Sequence, residues 1–167
     1  MLTVEDGSGV EGADTYASLD EATDYIERWH EPRAWDEADA PKRERALRQG
    51  SRYVDAHRFR GRRKLQRQSM AWPRCNVGVV DGREVLSSEV PPEVKHAAIE
   101  AALRYIRGED LFPDHDGATV SAERRQAGPV QTETQYATPR RRTKRFEAIL
   151  ALLRPYLSSS RLERSIA

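Results

Sequence analysis

The sequence predicts a mainly α fold, a small bundle of about four helices with a long irregular connection and a small β-hairpin. Three observations lead there. Four stretches repeat apolar residues at the three-and-four spacing of an amphipathic helix. Residues 58–90 carry no sustained helical period. Residues 118–137 alternate better than they spiral, as a strand does. The apolar supply is thin. Leu, Ile, Val and Phe total 31 of 167 residues, against 33% charged, so the core is small and stability gained from partners is expected. One domain, or one with a small appendage, fits the length.

Residues 1–17, rich in Gly, Asp and Ser, read as an extended N-terminal arm. The first helix starts at Ser18, where Ser18 and Glu21 form a capping box. Ala22, Tyr25, Ile26 and Trp29 then share its apolar face, and Pro32 ends it. The second helix begins near Pro41, a residue suited to a first turn, with Asp39 as its cap. Ala46, Leu47, Gly50, Tyr53, Val54 and His57 form one face and Lys42, Arg43, Arg45, Arg48 and Arg52 the other. Gly50 within the helix marks a close approach to another helix, since Gly costs about 1 kcal/mol there relative to Ala. In the long connection, Asp81-Gly82 between apolar residues is a hairpin turn. Trp72 and Trp35 are expected as large core plugs. A third helix runs from about Pro91 to Arg107, with Ser88 as a possible cap, and Gly108 stops it. Gly128-Pro129 turns a hairpin within 118–137. The last helix starts at Thr143, carries Phe146, Ile149, Leu150 and Leu153 as its stripe, and is ended or kinked by Pro155. Residues 158–167 read as a tail. The expected organisation is therefore an arm (1–17), a helical domain (18–137) with loop 58–90 and hairpin 118–137, and a C-terminal helix and tail (138–167).

The net charge of +1 conceals a sorted distribution. The net is −10 over residues 1–40, +9 over 41–70, −4 over 71–117 and +6 over 118–167. Of the basic residues, 24 are Arg and 4 Lys, a choice that suits interfaces and bidentate contacts as well as a GC-rich genome. Two basic clusters stand out. One holds Arg58, Arg60, Arg62, Arg63 and Lys64, with Phe59 among them. The other holds Arg140, Arg141, Arg142, Lys144 and Arg145. Each could bind phosphates, with Phe59 stacking on a base. Each could equally pair with the acidic block of this chain or of a neighbouring subunit, or simply be solvated.

Several classes are disfavoured. No apolar run approaches the roughly 18 residues of a membrane span, and the acidic start lacks a signal peptide's pattern. Cys75 stands alone, so no internal disulfide forms. His30, His57, His96 and His115 show no metal-ligand spacing, and no Gly-rich phosphate loop occurs. No catalytic site, cofactor or metal is expected, and no enzyme.

Several local patterns occur in a familiar order. They are Gly12-Ala13-Asp14-Thr15-Tyr16, then Glu21-Ala22…Tyr25, then Ala46-Leu47 leading to Tyr53-Val54-Asp55. Arg58-Phe59-Arg60-Gly61 follows, then Gln68-Ser69-Met70-Ala71-Trp72-Pro73-Arg74, Val90-Pro91-Pro92-Glu93-Val94-Lys95 and Gly128-Pro129-Val130. Over about residues 10–157 the chain resembles the tailed-phage and prophage family often labelled putative DnaT-like single-stranded-DNA-binding protein. Its members resemble head–tail connector, or adaptor, proteins. The resemblance implies a virion neck protein made in the host cytoplasm. It would form a ring of identical subunits, typically twelve, that binds the portal protein on one side and a tail-side completion or terminator protein on the other. DNA would pass through the lumen without sequence specificity. The C-terminal residues, about 140–167, would dock on the portal. The two basic clusters are then the portal- or DNA-contact candidates, and Tyr25, Trp29, Trp72 and Pro73 are structural. The alternative is a replication accessory that binds single-stranded DNA, with Phe59 as a stacking group.

Overall fold

The computed structural model describes residues 1–112 and 146–158, and the backbone of 126–127 and 130–131. Cluster Arg140, Arg141, Arg142, Lys144 and Arg145 lies outside these residues. The chain divides into two compact units, Met1–Leu111 with the segment from Phe146, and Phe112–Arg145. The second contains the antiparallel pair β5 (Gln126–Ala127) and β6 (Val130–Gln131). The rest of the hairpin expected over 118–137 lies outside the described residues.

The first unit is mainly helical, as predicted. Helix α1 (Leu19–Trp29) starts with the full capping box, Ser18 accepting from the Glu21 N–H and the Glu21 carboxylate accepting from the Ser18 N–H. Ala22 and Ile26 are buried. Trp29, in phase with that face, is the last helical residue and is 67% exposed. The large aromatic beneath α1 is instead Trp35, fully buried on a one-turn helix α2 (Arg33–Asp36) that the sequence pattern had not separated. Its indole N–H donates to Thr23 at 3.0 Å.

Helix α3 (Ala40–Asp55) is capped by Asp39, which accepts from the Lys42 N–H at 2.8 Å. Helix α4 (Pro92–Ile106) is the most buried element. Ser88 does not cap it. Pro91 holds the N-cap position and Pro92 the first turn, where a missing N–H leaves nothing to satisfy. α3 and α4 pack at Gly50, where an added Cβ would lie 2.2 Å from the Ala98 carbonyl oxygen and 2.8 Å from the Ala102 nitrogen. A side chain of any size would push the two helices apart.

The connection 58–90 is irregular but not unstructured. It contains two antiparallel strand pairs, β1 (Arg62–Arg63) with β2 (Arg74–Cys75), and β3 (Val79–Val80) with β4 (Arg83–Glu84). Asp81 and Gly82, both at positive φ, turn the second pair as expected. Helix α5 (Glu147–Leu153) begins at Glu147 rather than Thr143, and Pro155 sits in the 3₁₀ turn that follows it. Ile149 and Leu153 are fully buried.

Two apolar clusters form the core. Ile26, Trp35, Leu47, Ile99 and Leu103 make one. Tyr16, Val54, Phe59, Trp72, Val94, Ile149 and Leu153 make the other. Residues 1–17 are extended but docked. Val4 bridges Thr15, and Ala13, Tyr16 and Ala17 are buried. The Glu5 carboxylate, wholly buried, accepts from the Gly7, Gly9 and Val10 N–H groups at 2.8–2.9 Å and folds that part of the arm around itself.

Candidate nucleic-acid and partner interface

The candidate site is the basic segment 58–67 and the clamp that presents it. The clamp is assembled from the short patterns that the sequence scatters over sixty residues. The Tyr16 hydroxyl hydrogen-bonds the Asp55 carboxylate and accepts from the Trp72 N–H at 3.1 Å. The other Asp55 oxygen accepts from the Ala71 N–H at 3.0 Å. Burial pushes the Asp55 carboxyl up from its usual range, against the hydrogen bonds from Tyr16 and Ala71. Burial, then the Asp55 charge, raises the Tyr16 phenol well above its ordinary value. The arm and the end of α3 thus meet the backbone that carries Trp72, which is fully buried with its neighbour Pro73. The Trp72–Pro73 peptide is cis.

Arg74 and Gln68 complete the clamp from inside the connection. The Arg74 guanidinium donates to the carbonyls of Arg60 at 2.7 Å, Gly61 at 2.8 Å and Ala71 at 3.1 Å. Its charge is spent on backbone, so it is a strut and not part of the exposed surface. Buried Gln68 accepts from the Leu65 N–H at 2.8 Å and donates to the Met70 and Pro73 carbonyls at 2.9 and 3.0 Å. Gly61 is obligatory. Its φ is +67° and a Cβ would lie 2.2 Å from the Cys75 carbonyl oxygen.

The same clamp takes in residues 156–158. Phe59 and Leu157 form an antiparallel bridge. The Arg60 N–H donates to the Tyr156 carbonyl and the Ser158 N–H to the Arg58 carbonyl, both at 2.9 Å. Ser158, where the tail begins, therefore lies against Arg58. The Tyr156 hydroxyl donates to Glu93 at 2.7 Å, tying this segment to α4. Burial and that carboxylate raise the Tyr156 phenol.

What the clamp presents is positive charge. Arg58, Arg60, Arg62, Arg63 and Arg67 are exposed. Among the described residues, none of them is within ion-pair distance of a carboxylate. Lys64 differs, being half-buried with its Nζ donating to the Gly7 carbonyl at 3.1 Å. Phe59 is the clearest departure from the sequence expectation. It is 6% exposed and packs edge-on against Trp72, with ring centroids 5.5 Å apart. In the extended stretch 58–60, neighbouring side chains point to opposite sides, so turning Arg58 and Arg60 outward turns Phe59 into the core. A base cannot reach its ring.

The acidic N-terminal block forms no ion pair with this segment among the described residues. Asp14 pairs with Arg48 at 2.6 Å and Glu21 with Lys95 at 2.7 Å. Asp20, Asp24 and Glu27 form an exposed stripe on α1 with no cation in ion-pair range among the described residues. A second polar cluster lies between α1 and α4. Buried Glu100 binds Arg104 and His30, both at 2.6 Å, and accepts from Tyr25 at 3.2 Å. The carboxylate and partial burial push the Tyr25 phenol up to about 12, burial contributing most. Tyr25 is half-buried and stacked on His96. Among the described residues, no group of three His, Cys, Asp or Glu could hold a metal ion, and no helix is long and apolar enough to cross a membrane.

Arg74 and Gln68 are the residues whose roles spacing alone did not reveal. Both lie within the Gln68…Arg74 pattern, which was the available signal. No curated protein and no solved structure matches the chain. The family described as "Putative DnaT-like ssDNA binding protein" matches residues 1–166, and the chain belongs to that family.

Proposed function

We propose that the chain is a head–tail adaptor, a virion neck subunit that assembles as a ring beneath the portal and surrounds the DNA channel. The observation that carries this reading is the junction at Ser158. The segment leading to the C-terminal tail is hydrogen-bonded across Arg58–Arg60, so the start of the tail and the exposed basic segment share one end of the unit. A subunit that docks by its tail next to a DNA channel needs those two features adjacent. The exposed acidic stripe of α1 adds a face of opposite sign for a neighbouring copy, and contacts between unlike patches are the kind that close rings. The thin core fits a subunit that its neighbours complete.

The test is to purify particles and image the neck by cryo-electron microscopy. The expected result is this chain in a ring between portal and tail, with residues 140–167 against the portal. A chain found in lysate and missing from particles would overturn the reading. That second outcome is the one expected of a replication accessory acting on single-stranded DNA, the reading that the family description favours.

A further inference from the structure

We infer that the segment Arg58–Arg67 is a phosphate-backbone surface for double-stranded DNA and has no stacking platform for single strands. The inference rests on the adaptor reading for the DNA that lies beside the subunit, and goes beyond it in naming the ligand and the residues.

Three observations carry it. The first is charge held outside any ion pair. Five exposed guanidinium groups have no carboxylate in ion-pair range among the described residues. The second is the placement of the aromatic rings. Phe59, Trp72 and Tyr156 lie directly beneath the segment and are all buried, their rings meeting edge-on at 5.5 and 5.7 Å. A single-strand site of the usual kind exposes such rings to successive bases, each stack strengthening binding by about tenfold. Here all three are committed to the core. The third is preorganisation. Arg74 fixes the carbonyls of Arg60 and Gly61, and the β1–β2 pairing fixes Arg62 and Arg63. The charges are held on a backbone fixed by these hydrogen bonds.

Such a surface binds by displacing counterions, and duplex DNA has the denser phosphate charge. Binding then follows salt with a slope of about −0.9 per phosphate neutralised on duplex and about −0.7 on single strands. The surface should therefore prefer duplex, without regard to sequence.

The experiment is an anisotropy titration of the full chain with fluorescent duplex and single-stranded oligonucleotides of equal length and of two unrelated sequences, at several salt concentrations. Duplex is expected to bind at least as tightly as single strand and equally in both sequences. Arg62→Ala/Arg63→Ala should weaken duplex binding by about tenfold at low salt and flatten the salt slope by about 2, one for each lost phosphate contact. Its thermal unfolding midpoint should match that of the parent. Phe59→Leu should leave the ratio of single-strand to duplex affinity unchanged, whatever it does to stability. A single-strand preference of about tenfold or more, or loss of single-strand binding alone in Phe59→Leu, overturns the inference. So does an absence of duplex binding at low salt, which would assign the patch to a protein partner. These outcomes are separable from the fate of the adaptor reading. A ring in the particle with no duplex binding removes only this inference, and duplex binding by a chain absent from particles removes only the adaptor.

Discussion

Helices α3 and α4 meet through small residues, while residues 58–77 are held by side chains that reach for backbone. At the helix seam Gly50 lets α3 approach the backbone of Ala98 and Ala102. In the connection regular pairing is confined to two-residue strands and a single bridge, and Tyr16, Asp55, Gln68 and Arg74 supply further partners one by one. The helical region is stabilised by shape and the connection by polar satisfaction around one aromatic anchor. The difference has a functional side. A helix face would leave long basic side chains on a smooth cylinder, whereas the clamp can turn every aromatic inward and every free guanidinium outward within ten residues.

Trp72 is where the two regions depend on each other, so its removal should have the largest effect. It is fully buried between Phe59 and Tyr156. Trp72→Ala should cost about 3–5 kcal/mol, read as a lowered unfolding midpoint in denaturant. A loss below about 1 kcal/mol would mean that the connection is not anchored in the core. Gly50→Ala tests the seam. Helix propensity favours Ala by about 1 kcal/mol. The contact with the Ala98 carbonyl is too close to relax without separating the helices, and overpacking of that kind costs about 1–3 kcal/mol. The clash should prevail, giving a net loss of about 1 kcal/mol and at most about 2 kcal/mol. A stabilised variant would show the seam to be loose.

The two regions also differ in how far they could be read in advance. The helices were legible because their causes are local. Ser18 and Glu21, Asp39, and the glycine inside α3 each announce themselves within a few residues. The clamp was not legible as a clamp. Its members, Tyr16, Asp55, Gln68 and Arg74, are polar residues far apart in the chain, and nothing in periodicity pairs Tyr16 with the Trp72 amide. The order of the short patterns marked those positions, but their contacts exist only after folding. Phe59 and Trp29 failed in opposite directions for related reasons. A ring among arginines was read as available and is buried by strand alternation. A ring in phase with the apolar face was read as part of it and is exposed at the last helical residue.

Arg74→Ala should separate the regions by dynamics. Three carbonyls lose their donor, two of them near solvent, so the cost should be modest, about 1–2 kcal/mol. Hydrogen exchange should accelerate for amides in 58–66 while α3 and α4 keep their protection. Equal acceleration in both would show one cooperative unit and erase the distinction between them.

The smallest effect should come from proton uptake, and it should have opposite signs in the two regions. In the helical region, burial works to raise the Glu100 carboxyl, but hydrogen bonds from Arg104 and His30 outweigh it and hold the group below its ordinary value of 4.5. A lowered acid stabilises the fold above the unfolded-state value, and that stability is lost as pH falls through the folded-state value. At the clamp, burial holds Asp55 above its ordinary value of 3.8. A raised acid binds its proton more tightly when folded, so its contribution is full below 3.8 and declines as pH rises through the folded-state value. Thermal unfolding of Glu100→Gln and Asp55→Asn between about pH 3 and 6 should therefore diverge from the parent in opposite directions. Glu100→Gln should flatten the loss of stability on acidification, because the proton-sensitive carboxylate is gone. Asp55→Asn should steepen the rise of stability with pH, because the opposing contribution has been removed. If both variants change the pH profile with the same sign, the carboxylates of the helix pair and of the clamp occupy equivalent environments, and the division between shape-held and hydrogen-bond-held regions does not extend to their charges.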